Sequence, residues 1–183
     1  MESLAGKLLI AIPELPDGNF YRTVVFVIEH TEDGAMGVIL NRPSDVTLEE
    51  LWDRLDPEIE VNRLGYVHVG GPVNGPVIGI FDHPRFDDTE ILDGVFMTMS
   101  SDKLNYYVKS LDGKFKSFSG YSGWGPTQLE SELESGGWLV LQAKAADIFD
   151  NSETLWKSLC ERYGNHVLMP VINKPYSGDP NLN

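Results

Sequence analysis

Two apolar runs near the start of the chain set the first constraint on its fold. Thr23–Ile28 is rich in β-branched and aromatic residues, and Met36–Leu40 is a second short apolar run entered through Glu32-Asp33-Gly34. Runs of this composition read as strands, and the turn residues between them make the pair a hairpin. Strands so apolar have to be buried, so other elements must cover them. The chain has 183 residues, enough for one domain that buries about 70% of its unfolded surface without staples.

The other elements follow from local pattern. Leu8–Ile12 is an apolar strand bounded by Pro13, and Tyr66–Val69 and Val77–Phe81 flank the loop Gly70-Gly71-Pro72-Val73-Asn74-Gly75-Pro76. Val95–Met99, Phe115–Gly120 and Trp138–Gln142 are weaker strand signals. Four helices are expected. Leu48, Leu51, Trp52 and Leu55 recur at helical spacing behind a Thr47/Glu50 capping box. Leu104, Tyr107, Val108 and Leu111 repeat the pattern, and Leu129 and Leu133 share a face behind a second expected capping box, Thr127/Glu130. Leu155, Trp156, Leu159, Cys160 and Tyr163 form the last stripe, with Gly164 as its stop. Strands dominate the first half and helices come later, without the regular alternation of a doubly wound fold. The expected class is therefore α+β, with a mostly antiparallel or mixed sheet and about four helices. Residues 1–170 read as a single domain and 171–183 as a loosely held tail of turn-forming composition.

Charge narrows the function classes. The net charge of −14 repels a phosphate backbone, so direct nucleic-acid binding is not expected. Lys103, Lys109, Lys114 and Lys116 are the densest basic set, diluted by Asp102 and Asp112, and read as a helix surface followed by a strand. With one cysteine, Cys160, no internal disulfide can form, which fits a reducing compartment. The apolar run Leu8–Ile12 is shorter than a signal-peptide core, and no run approaches the ~20 residues of a membrane helix. The expected location is the cytoplasm, with no membrane contact.

The chemical motifs are weak when taken singly. No phosphate-binding loop of the P-loop or dinucleotide type occurs, and Gly70–Pro76 reads as a special turn. Gly120-Tyr121-Ser122-Gly123-Trp124 resembles a nucleophile elbow, but an indole stands where the last glycine should be, so Ser122 reads as a turn serine. Cys160 lies on an apolar stripe and reads as a core residue. Asp82, His83, Asp87 and Asp88 share a short loop that reads as solvated, so no metal or cofactor is expected. Two polar clusters remain as candidate binding residues. Glu29 and His30 leave one hairpin strand and Asn41 and Arg42 leave the other, at opposite ends of the pair. Tyr121, Trp124 and Gln128 straddle a glycine-rich junction before a helix, where they could line a small-ligand pocket or pack the helix on the sheet.

Three segments taken together resemble the bacterial YqgE/AlgH family. They are Leu9-Ile10-Ala11-Ile12-Pro13 leading through Glu29-His30 and Gly34-Ala35-Met36-Gly37 to Asn41-Arg42-Pro43; then Gly70-Gly71-Pro72-Val73; then Gly120-Tyr121-Ser122-Gly123-Trp124 with Gln128-Leu129-Glu130. The resemblance runs from about Leu8 to about Gly164. It implies a compact cytoplasmic α+β domain around a strongly bent sheet. It brings no catalytic residues, and the activity of the family is unsettled. The AlgH branch is described as a transcriptional regulator, a description that identifies no DNA-binding element. Thr127 stands where the family more often has glycine, and Ser122 where alanine or glycine is common.

The function expected from all this is a non-enzymatic regulatory or interaction protein that acts through an unknown protein partner. The alternative is a small-ligand-binding protein or an unrecognised enzyme using the Asn41/Arg42 or the Tyr121/Trp124/Gln128 region.

Overall fold

A computed structural model describes residues 2–12, 18–150 and 154–172. The elements run β1 (Lys7–Ala11), β2 (Val24–Thr31), β3 (Gly34–Ile39), β4 (Pro43–Thr47), α1 (Leu48–Leu55), β5 (Tyr66–Val69), β6 (Ile78–Phe81), β7 (Thr89–Leu92) and β8 (Val95–Thr98). They continue as α2 (Ser101–Lys109), β9 (Phe115–Ser119), β10 (Ser122–Trp124), α3 (Gln128–Glu134), β11 (Trp138–Gln142), α4 (Ala145–Ile148) and α5 (Leu155–Ile172). The class is α+β, as the pattern implied.

The strands form two sheets, ordered β10-β3-β2-β1-β11 and β4-β5-β9-β6-β8-β7. All pairings are antiparallel except β5–β9, which is parallel. The hairpin expected from the two apolar runs is β2–β3, with Val25 opposite Ile39 and Thr31 opposite Gly34.

The continuous apolar character of β1 and β2 has a simple cause. Their alternate residues are buried on two sides. Leu8, Ile10, Val24, Phe26 and Ile28 join Ile78, Ile80 and Phe118 of the second sheet in the main core, which α5 closes with Leu155 and Leu159. Leu9, Ala11, Val25 and Val27 face outward into a second core with Leu129 of α3, Trp124 and Trp138. The second sheet carries α1 and α2 on its far face, where Trp52 packs with Leu48, Val67, Leu104 and Val108.

The three motif segments meet where the sheets cross. A Cβ on Gly70 would sit 2.2 Å from the Gly120 carbonyl oxygen, and one on Gly34 would sit 2.2 Å from that of Trp124. Backbone touches backbone at both points, so only glycine fits. Val73 and Tyr121 exchange two backbone hydrogen bonds of 3.0 Å, and the Gly70 carbonyl accepts from the Ile39 amide at 2.9 Å.

Several local expectations are corrected. The Thr47/Glu50 capping box forms, but the Thr127/Glu130 box does not. Thr127 has φ 61, a left-handed conformation with its side chain off the cap, and Glu130 is drawn to His30 instead. Leu111 lies beyond α2 and is exposed. Gly164 does not stop the last helix, which runs on to Ile172. Trp156 is half-buried, with its indole N–H donating to the Ala11 carbonyl at 2.8 Å. Of the expected tail 171–183, residues 171 and 172 belong to α5 and 173–183 lie outside the described residues.

Candidate functional site

The residues singled out from sequence do not converge on one site. His30 is buried under α3, with Nδ1 accepting from the Leu4 amide at 3.0 Å and Nε2 2.7 Å from a Glu130 carboxylate oxygen. The backbone amide of Glu130 itself and, less strongly, that imidazole hold the Glu130 carboxyl below its ordinary range. Arg42 Nη1 donates to the Asn19 carbonyl at 2.5 Å. The Asn41 amide is used for stitching: Oδ1 accepts from the Val24 amide and Nδ2 donates to the Arg22 carbonyl, both at 2.9 Å.

At the second cluster Trp124 packs into the second core, whereas Gln128 is exposed on α3. Glu132 accepts the indole N–H of Trp124 at 3.0 Å and of Trp138 at 2.8 Å. Gln128 donates to the same carboxylate at 3.0 Å and accepts from the Gly125 amide at 3.1 Å. Exposed Glu29 and half-buried Tyr121 line a shallow, open depression with Trp124, Thr31 and Asp33. Ser122 is a strand residue and not a turn residue; its buried hydroxyl donates to the Gly70 carbonyl at 3.1 Å. Burial pushes the Cys160 thiol up, away from thiolate chemistry. The Asp82–Asp88 loop is tied into the structure: Asp88 accepts from the Tyr107 hydroxyl at 2.6 Å and from Lys103 at 3.0 Å.

The strongest site lies elsewhere, at the parallel pair. β5 and β9 are in register only at His68–Phe118 and Val69–Ser119. Toward their N-terminal ends the strands part, and a cleft of about 570 Å³ opens between Gly65-Tyr66 and Phe115-Lys116-Ser117. Leu40, Pro43, Leu48, Leu64 and Phe115 supply apolar lining, with Asn41 and Asp150 at its edge. Ligand sites have this size and this mixture of apolar wall and few polar groups.

Three polar residues of the cleft are buried. Lys116 is 5% exposed, and its Nζ donates to the Asp150 backbone carbonyl at 2.7 Å. Burial lowers its pKa to about 8, against the pull of the Asp150 charge. His68 is 8% exposed, and burial together with the Lys116 charge lowers its pKa to about 4, so it is neutral at pH 7. His68 Nδ1 and Ser117 Oγ have no well-formed hydrogen-bond partner among the described residues, although the Tyr66 and Ser117 backbone draws the imidazole pKa partly back up. A buried polar atom left unpaired costs roughly 1–3 kcal/mol. By strand alternation His68 shares the face of Lys116 and Phe118, while Ser117 lies on the opposite face with Phe115.

Sequence reasoning reached Asn41 but missed His68, Lys116 and Ser117. The available signal was a lysine inside a strand between Phe115 and Phe118, where an alternating pattern predicts an apolar residue.

Fold and site together define a two-sheet α+β domain, crossed at glycine contacts and opened by a cleft between parting parallel strands. A sequence model of the AlgH-like family matches residues 8–168, and the chain belongs to that family. A UPF0301 protein of Myxococcus xanthus is 37% identical, over 95% of this chain and 98% of that protein. One from Streptomyces avermitilis is 34% identical, over 100% and 97%. The solution structure of the AlgH protein from Pseudomonas aeruginosa superposes with a TM-score of 0.73 at 29% identity, over 97% of this chain and 100% of that one. A crystal structure of a Corynebacterium diphtheriae protein gives 0.71 at 26% identity, over 88% of each chain. No helix among the described residues is long and apolar enough to cross a membrane.

Proposed function

We propose that this chain is a small-ligand-binding protein whose ligand occupies the cleft between β5 and β9. The observation that carries the reading is the pairing of a buried lysine with a buried, neutral histidine whose Nδ1 lacks a well-formed partner among the described residues, in one 570 Å³ cleft. Burying both groups costs stability that apolar residues would not cost. A ligand that pairs with them removes the penalty. Arg42 and Gln128 do not share a partner: Arg42 donates to the Asn19 carbonyl and Gln128 to Glu132, one turn along α3.

A regulatory role through a protein partner fits the same site. Leu64 is fully exposed at the cleft and Tyr66 is 56% exposed beside it. A ligand seated there would alter the apolar rim shown to a partner. Direct DNA binding forms no part of the proposal, because the net charge of −14 offers no counterion-release gain.

The test is a saturation-transfer screen of small soluble fragments against wild type and the double variant His68→Phe, Lys116→Met. Hits that bind wild type and lose their signal with the double variant support the reading. Equal signals from both proteins would overturn it.

A further inference from the structure

The geometry points to a small monoanionic hydroxycarboxylate with an apolar body as the ligand of this cleft. The inference rests on the cleft being a ligand site and adds the chemistry of what it takes.

The acid group follows from Lys116. An ammonium has three donors, and one of them goes to the Asp150 carbonyl. The others have no hydrogen-bond partner among the described residues. The hydrogen bond is to a neutral carbonyl, and the Asp150 carboxylate acts on the ammonium only through space. A carboxylate on the ligand supplies a charged acceptor in direct contact with the remaining donors.

A single charge follows from what else lines the cleft. Lys116 is the only side chain among the described lining residues that is cationic at pH 7, since His68 is neutral there. Asp150 lies at the same site, in a protein of net charge −14. A second negative charge, as on a phosphate monoester, would meet no cation and would feel both repulsions.

The hydroxyl follows from His68. In the sheet His68 is opposite Phe118, and Lys116 is two residues before Phe118, so the imidazole and the ammonium share a face. The lysine charge is felt at the ring. Nδ1 is buried and without a well-formed partner among the described residues. A hydroxyl both donates and accepts, so it satisfies Nδ1 in either tautomer. Leu40, Leu48 and Phe115 wall the space for the apolar body, with Leu64 at the mouth.

Four probes test this by calorimetry and by amide chemical shifts: 3-phenyllactate, 3-phenylpropanoate, 3-phenylpropanamide and phenyl phosphate. The expected order has 3-phenyllactate tightest. Loss of the hydroxyl weakens binding several-fold, and the amide and the phosphate are at least about tenfold weaker. Lys116→Gln removes the preference for carboxylate over amide, and His68→Phe removes that for phenyllactate over phenylpropanoate. On wild type alone, carboxylate affinity falls about tenfold from pH 7 to pH 9, because an amine of pKa about 8 loses its proton in that interval. That titration carries the test if Lys116→Gln fails to fold. Equal affinity for acid and amide, or tighter binding of the phosphate, would overturn the inference while shifts at Tyr66, His68 and Lys116 kept the cleft as a ligand site. If no carboxylate binds while other fragments shift those residues, this inference alone fails. If nothing shifts them, the cleft reading fails with it.

Discussion

Replacing Lys116 with methionine is expected to stabilise the protein at pH 7, and the gain should disappear in alkali. The folded protein holds Lys116 at a pKa of about 8, against the ordinary 10.5. At 1.36 kcal/mol per pKa unit, that difference disfavours the folded state by about 3 kcal/mol while the lysine is charged. Because the folded pKa is depressed, the unfolded chain binds more protons than the native one between pH 8 and pH 10.5. Wild-type stability should therefore rise with pH through that window. The Lys116→Met variant removes the penalty and also the hydrogen bond to the Asp150 carbonyl, a charged donor contributing about 1.5–3 kcal/mol. The net gain at pH 7 is about 1 kcal/mol, or roughly 2–4 °C in Tm for a chain of this size. The assay is chemical denaturation of both proteins from pH 7 to pH 10.5. Destabilisation of the variant by 1 kcal/mol or more at pH 7, or a difference that does not change with pH, would refute the claim that burial dominates at Lys116.

Four further outcomes are expected. Thr127→Gly should raise stability by about 0.5–1 kcal/mol in a thermal melt, because a β-branched residue at φ 61 is strained and glycine is not. Gly70→Ala should lower stability by about 3 kcal/mol or more and broaden the amide spectrum around Gly120, since a Cβ there lands 2.2 Å from a backbone oxygen. Arg42→Ala should cost less than about 1.5 kcal/mol in a melt, because among the described residues the guanidinium makes one hydrogen bond, at an exposed site, to the Asn19 carbonyl. Wild type should lose stability as pH falls from 6.5 to about 4, where unfolded His68 takes a proton and folded His68 does not. His68→Phe should flatten that part of the pH curve.

Much of the fold was legible because its strands are short, apolar and bounded by turn residues. The β2–β3 hairpin, the β5 strand Tyr66–Val69 and the Thr47/Glu50 cap all follow from patterns within a few residues. Thr127 misled because a Thr-x-x-Glu spacing is shared by a capping box and by a left-handed residue that frees the glutamate for His30. Gly164 misled because a glycine marks a helix stop only when the following residues leave the helix, and here they do not. The division into two sheets lay beyond reach, since it depends on which strands meet across the chain. The cleft was missed for the same reason. His68 and Lys116 are 48 residues apart, and what joins them is a parallel pairing at His68–Phe118. Nothing local to either strand records that the pairing begins only at His68–Phe118 and leaves the N-terminal ends apart.

The central claim is that ligands enter between β5 and β9. A crystal soaked with a mixed set of acidic and neutral fragments tests it most directly, because the density shows which surface is occupied. The account predicts fragments clustered in the cleft, with an acid group on Lys116 and a polar atom on His68 Nδ1. Fragments gathered instead in the depression beside Glu29 and Tyr121, with the cleft empty at the same concentrations, would contradict it.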